Sequence, residues 1–122
     1  MGKRILVVDD SASVRTVAGI ALREAGYEVL EAANGQEGLS RLNGERIHLV
    51  ISDVNMPILD GIGFLKQIKA HPNYRFTPVI MLTTESLESK KKEGQAAGVR
   101  AWVTKPFQPP VLLSAVEKLV LP

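Results

Sequence analysis

Short apolar runs and longer stretches of helical period alternate along the whole chain. Ile5-Leu6-Val7-Val8 is a continuous run with no polar alternation, the pattern of a strand covered on both faces. Val14, Val17, Ala18, Ala21, Leu22 and Ala25 then recur at spacings of three and four, one stripe of an amphipathic helix. Ser13 is its expected N-cap and Gly26 its stop. Tyr27 to Ala32 reads as a second strand, and Asn34-Gly35 as a turn before a short helix ending near Asn43-Gly44. Ile47 to Ser52 is a third strand. Gly61 opens a helix carrying Ile62, Leu65 and Ile68, closed by His71-Pro72-Asn73. Pro78 to Leu82 is a fourth strand, followed by a charged helix from about Ser86 to Ala97 with Gly98 as its stop. Ala101 to Thr104 is a short fifth strand. Pro109 and Pro110 suit the start of a last helix, where a missing N–H costs nothing, with Leu112, Ala115, Val116 and Leu119 as its buried stripe.

Strands without polar alternation, each followed by a helix, predict a parallel sheet with helices on both faces. Right-handed crossovers leave few arrangements. The expected fold is α/β, a flavodoxin-like (βα)5 doubly wound five-stranded parallel sheet in the order 2-1-3-4-5. Residues 1–122 are expected to form one domain, with no linker or repeat.

Composition narrows the classes. Apolar residues are 45% and charged residues 23% of the chain, ordinary for a globular protein. No Cys is present, which excludes disulfides and thiolate metal sites. No apolar run approaches a signal-peptide core or a membrane span, so a cytoplasmic chain is expected, without a membrane partner. The net charge of +2 is too small to imply nucleic acid.

In this strand order the ligand site lies beyond the C-terminal ends of strands 1 and 3. Strand 1 runs into Asp9-Asp10 and strand 3 into Asp53, while strand 4 ends at Thr83-Thr84-Glu85 and strand 5 at Lys105-Pro106. Three carboxylates about 5 Å apart repel by roughly 3 kcal/mol per pair at an effective dielectric of 20, so they need a cation or raised pKa values. Hard oxygens without His or Cys suit Mg²⁺, with Mn²⁺ as an alternative. A carboxylate beside such a metal can attack a phosphoryl group, while a Lys and a hydroxyl meet the transferred oxygens. Gathering the three carboxylates in one cleft would leave about +5 on the remaining surface, a mild preference for an acidic partner.

Five motifs carry a resemblance: Val7-Val8-Asp9-Asp10-Ser11, Ile51-Ser52-Asp53-Val54-Asn55-Met56-Pro57, Asp60-Gly61, Met81-Leu82-Thr83 and Val103-Thr104-Lys105-Pro106-Phe107. In this order, at the strand ends, they make the chain resemble a receiver domain of two-component response regulators in its single-domain, CheY-like form. The resemblance implies that Asp53 is the phosphoacceptor, and that Asp9, Asp10, Asp53 and the Asn55 carbonyl hold Mg²⁺. It further implies that Thr83 and Lys105 assist transfer and that Thr83 and Trp102 form the switch. Family members usually carry Tyr or Phe where Trp102 stands, and the larger ring bears on how far it can swing.

By the same resemblance the phosphodonor is a sensor histidine kinase. The output is a protein such as a flagellar motor or other motility component, and a phosphatase is a further partner. A monomer is expected that catalyses its own phosphorylation and dephosphorylation rather than turning over an external substrate. Lys90-Lys91-Lys92 reads as a solvated helix face or a docking site, and His48 and His71 as structural or surface residues.

Two other classes fit less well. An aspartyl-nucleophile phosphohydrolase of the haloacid-dehalogenase kind needs a general acid two residues after Asp9, where Ser11 stands. A nucleotide-binding module needs glycines that Asp10-Ser11-Ala12-Ser13 lacks. The start at Met1 and the end just after the fifth helix favour a stand-alone protein over a receiver fragment of a larger regulator.

Overall fold

The computed structural model describes residues 2–84 and 88–122, and the side chains of all of these except 88–90. Strands and helices alternate: β1 (Arg4–Val8), α1 (Ala12–Glu24), β2 (Glu28–Ala32), α2 (Gly35–Arg41), β3 (Leu49–Asp53), α3 (Gly61–Ala70), β4 (Val79–Thr83), α4 (Glu88–Ala97), β5 (Ala101–Thr104) and α5 (Pro109–Leu119). The sheet is parallel in the order β2-β1-β3-β4-β5, as the patterning predicts.

Side chains along each strand point alternately to opposite faces. Leu6, Val8, Val50 and Met81 therefore share one core with Phe64, Leu65 and Ile68 of α3. Ile5, Val7, Leu49 and Ile51 share the other with Ala18 and Leu22 of α1 and Leu112 and Val116 of α5. Every residue of β3 and β4 is buried, which explains their unbroken apolar runs. Each fully buried Leu or Ile contributes about 2–3 kcal/mol by area. Among the described residues no helix is long and apolar enough to cross a membrane.

Several boundaries move. Ser11 rather than Ser13 caps α1: its hydroxyl accepts the Val14 N–H, and its own N–H is held by Asp9 Oδ1 at 2.9 Å. β3 begins at Leu49, because Ile47 is buried ahead of the paired segment. β3 also runs on to Asp53, one residue past the expected end, and β4 runs from Val79 to Thr83. The glycine stops hold: Gly26 and Gly98 have φ of +96° and +101°, the left-handed region that glycine enters freely. The expected start of the fourth helix near Ser86, and Glu85 with it, lie outside the described residues. So does the side chain of Lys90 in the lysine run, while Lys92 is exposed and Lys91 half-buried.

At the sheet's N-terminal edge, His48 Nδ1 accepts the Arg4 N–H at 3.0 Å. Burial, with the nearby positive charges of Arg46 and Lys3, holds its pKa below the usual 6.5. The folded state thus takes up a proton less readily than the unfolded one. His48 contributes stability that is fully present above pH 6.5 and is lost as pH falls from there through its folded pKa. In denaturation series between pH 7 and 5, His48→Asn, whose amide oxygen can accept the same bond but cannot titrate here, is expected to lose less stability than the parent. Equal losses would remove His48 from the acid response.

Candidate phosphoacceptor site

The register brings the carboxylates together. Val8 of β1 pairs with Ser52 of β3, so the next residues, Asp9 and Asp53, emerge side by side where the strand order reverses. Oxygens of Asp9, Asp10 and Asp53 all lie within 4.8 Å of one another. Asp9 and Asp53 are buried and Asp10 is exposed, so the cluster has two inner members and one facing solvent.

Each inner carboxylate divides its oxygens in the same way. Asp9 Oδ1 accepts the Ser11 N–H at 2.9 Å, and Asp53 Oδ1 accepts the Val54 N–H at 2.8 Å. The two Oδ2 atoms face Lys105, whose Nζ lies 2.7 Å from that of Asp9 and 3.4 Å from that of Asp53. Among the described residues Asp9 Oδ2 has no well-aligned hydrogen bond, and its close contact with Nζ is first of all an ion pair. The bonds to backbone N–H groups fix the carboxylates, and Oδ2 of each remains available for a ligand.

Electrostatics follow from the crowding. Burial, then the charge of Asp9, push Asp53 above the usual carboxylate range, and Lys105 only partly offsets them. Burial alone would lower Lys105, but Asp9 and Asp53 outweigh it and hold its pKa above normal. Among the described residues the Lys105 ammonium pairs with Asp9 and Asp53, and no ion pair reaches Asp10, so ionised carboxylates in the cleft outnumber the ammonium that meets them. An all-oxygen donor set with a buried, poorly bonded Oδ2 suits a hard divalent cation.

The other expected residues surround this centre. Thr83 is the last residue of β4, is buried and pairs with Thr104 of β5. The Lys105 N–H bonds the Thr83 carbonyl at 3.0 Å, which ties the loop carrying the ammonium to the end of β4. Asn55 is exposed just past Asp53. Trp102 lies one strand further out and packs against the core on the α3 side.

Gly61, legible as a helix start, and Arg15, which the patterning does not single out, both shape the site. Gly61 begins α3 against the end of β3: its N–H bonds the Val54 carbonyl at 2.8 Å, and a Cβ there would overlap the Asp53 carbonyl oxygen. Arg15, in the first turn of α1, donates to the Asp9 carbonyl at 2.7 Å and pairs with Glu31 at 3.4 Å. A cation at a helix N-terminus opposes the helix dipole. That mismatch was the available signal that acidic groups sit nearby.

Known proteins share this fold and much of this sequence. Chemotaxis protein CheY1 of Helicobacter pylori (strain J99) is 36% identical over 116 residues, covering 93% of this chain and 94% of that protein. The Bacillus subtilis alkaline phosphatase synthesis transcriptional regulatory protein PhoP is also 36% identical, over 98% of this chain, but the chain spans 49% of PhoP's length. The structure of Vibrio cholerae chemotaxis protein CheY4 superposes with a TM-score of 0.93 at 42% identity, covering 98% of this chain and 100% of that one. The receiver domain of sensor histidine kinase PA1611 from Pseudomonas aeruginosa PAO1, solved with a magnesium ion coordinated in its active-site cleft, superposes at 0.89 with 29% identity, covering 98% of each chain. Residues 5–117 match the response regulator receiver domain model, and with the parallel 2-1-3-4-5 sheet and the acidic cleft at its switch point, the chain belongs to the receiver domains of two-component response regulators.

Proposed function

We propose that Asp53 accepts a phosphoryl group from the phosphohistidine of a sensor kinase and that the chain relays this signal to a protein of the motility apparatus. The observation that carries the reading is the convergence of Asp9, Asp10, Asp53 and Lys105 on one cleft with the Oδ2 atoms of Asp9 and Asp53 facing inward. Asp53 Oδ2 attacks phosphorus in line with the departing imidazole. An O–P bond forms as the N–P bond breaks, and the electron pair stays on the imidazole nitrogen. The ammonium of Lys105 neutralises a transferred oxygen, and the Thr83 hydroxyl meets another. Asp9, Asp10, Asp53 and the Asn55 carbonyl would hold Mg²⁺, or Mn²⁺, which when bound supplies further charge neutralisation. The chain in this reading catalyses its own phosphorylation and dephosphorylation, and a phosphatase would speed the latter.

Output follows from the same contacts. A phosphoryl group adds about −1.5 to −2 charges, and movement of Thr83 toward it frees space that Trp102 of β5 can use. A population shift of the α4–β5–α5 face results, provided the phosphoryl group contacts one conformation and not the other. A groove of about 600 Å³ along β5 and α5, lined by Trp102, Val111, Ala115 and Lys118 among others, supports this face as the one a partner reads. Chemotaxis is favoured by the CheY proteins, whose length the chain covers almost fully, and a cytoplasmic monomer accords with it. The PhoP match favours a second reading, the receiver part of a longer transcriptional regulator.

Incubation with acetyl phosphate and Mg²⁺ is expected to add one phosphoryl group by intact mass, and Asp53→Asn to abolish the gain. An undiminished gain in Asp53→Asn would overturn the assignment.

A further inference from the structure

Helix α4, Glu-Ser-Lys-Lys-Lys-Glu-Gly-Gln-Ala-Ala, has no apolar side chain larger than alanine. Short helices are held mainly by an apolar face rather than by propensity, so α4 must be anchored by something it does not itself carry. The Gly94 backbone is buried, and a Cβ built there would lie 2.6 Å from Cζ2 and 3.0 Å from Cη2 of Trp102, and 3.4 Å from Cδ1 of Ile62. The far edge of the indole therefore occupies the place a side chain at 94 would take. Ala97 and Val99 pack against the same core.

We propose that α4 is seated by the Trp102 indole, received in a notch floored by Gly94, so that Gly94 is the positioning residue for both the ring and the α4–β5 face. Glycine in a helix interior is ordinarily a liability; here its missing side chain admits a ring larger than the Tyr or Phe usual at this position. The seat is also poised. Trp102 Nε1 is buried with no hydrogen-bond partner among the described residues, and such a donor favours any movement that lets it reach an acceptor or water. Shape complementarity at Gly94 holds the ring in while the unpaired N–H favours its release, and release removes the support beneath α4. The exposed Lys66–Glu93 ion pair between α3 and α4, at 3.4 Å, is too weak to hold the helix alone. The link from this seat to phosphorylation rests on the reading of Asp53 above; the seat itself does not.

Gly94→Ala and Trp102→Phe test it singly and together, by thermal melts and, wherever the single tryptophan is kept, by its emission and acrylamide quenching, without phosphodonor or metal. With Trp102 present, Gly94→Ala is expected to lower Tm by about 4 °C or more, shift the indole emission to the red and raise its quenching. In the Trp102→Phe background, where the smaller ring stops short of the notch, the same Gly94→Ala change is expected to raise Tm, as Gly→Ala ordinarily does inside a helix. Should Gly94→Ala fail to fold with Trp102, recovery of folding with Trp102→Phe supports the notch, and failure in both backgrounds overturns it. A rise in Tm in both backgrounds with unchanged emission also overturns it. Because no sample is phosphorylated, these outcomes stand apart from any result at Asp53.

Discussion

Lys105→Ala is expected to slow phosphorylation by acetyl phosphate about 10²- to 10³-fold, the usual cost of removing one preorganised group that stabilises transition-state charge. It should also destabilise the resting protein at neutral pH. Lys105 Nζ is 2.7 Å from a wholly buried carboxylate and 3.4 Å from a second, and removing one partner of a buried pair leaves an uncompensated charge. A loss of about 2–4 kcal/mol is expected, limited by the ease with which Asp53 takes up a proton. The sign of the pH dependence follows. Asp53's folded pKa is already raised above the ordinary 3.8, so the native state binds this proton more readily than the unfolded state. Stability from that proton is present at low pH and lost as pH rises through the folded pKa. Without Lys105 the pKa rises further, so the deficit should shrink between pH 7 and pH 5. Millimolar Mg²⁺ should restore part of it at pH 7 by binding the native state. Urea denaturation at the two pH values, with and without Mg²⁺, checks all three. A deficit that grows on acidification would contradict the charge argument.

Gly61→Ala is expected to be the most damaging glycine-to-alanine change among the described residues, costing about 3 kcal/mol or more, at the upper end for overpacking because both sides of the clash are backbone. The added Cβ would overlap the Asp53 carbonyl oxygen and lie 2.9 Å from Val54 Cα. Relief requires α3 to move off the end of β3, which breaks the Gly61 N–H bond to Val54 and displaces the Asp53 backbone. Phosphorylation should fall with stability. Gly63→Ala is the matched control. Its Cβ would lie 2.8 Å from Leu59 Cδ1, the end of a side chain able to turn away, and an alanine inside α3 offsets the contact. Urea midpoints for the two variants should differ widely; similar midpoints would mean that α3 is not pinned to β3.

The legible and illegible parts of the chain separate on physical grounds. Continuous runs such as Ile5–Val8 announce burial on both faces and so a parallel sheet; its order, 2-1-3-4-5, is the commonest of the few that right-handed crossovers leave for a chain of this length. Apolarity reports burial rather than pairing, however, so Ile47 places the expected start of β3 two residues early. Pro78 misleads for the same reason; it precedes β4, but its carbonyl accepts the Val50 N–H at 3.0 Å. Ser11 and Ser13 are equivalent caps by composition, and the Asp9 carboxylate decides between them. The acidic cluster and Lys105 are legible because polar residues at parallel-strand ends have one place to go. Arg15 and Gly94 are not. One bonds a carbonyl six residues back and the other makes room for a ring on another element, and neither partner can be known before the chain is folded.

Reductive trapping tests most directly whether Asp53 is the nucleophile of a divalent-cation-dependent site. Borohydride converts an aspartyl phosphate to homoserine, which peptide mass mapping assigns to a residue. After acetyl phosphate with Mg²⁺, homoserine is predicted at position 53, absent when EDTA replaces the metal. Homoserine at position 9 or 10 instead, or equal trapping at 53 without metal, would contradict it.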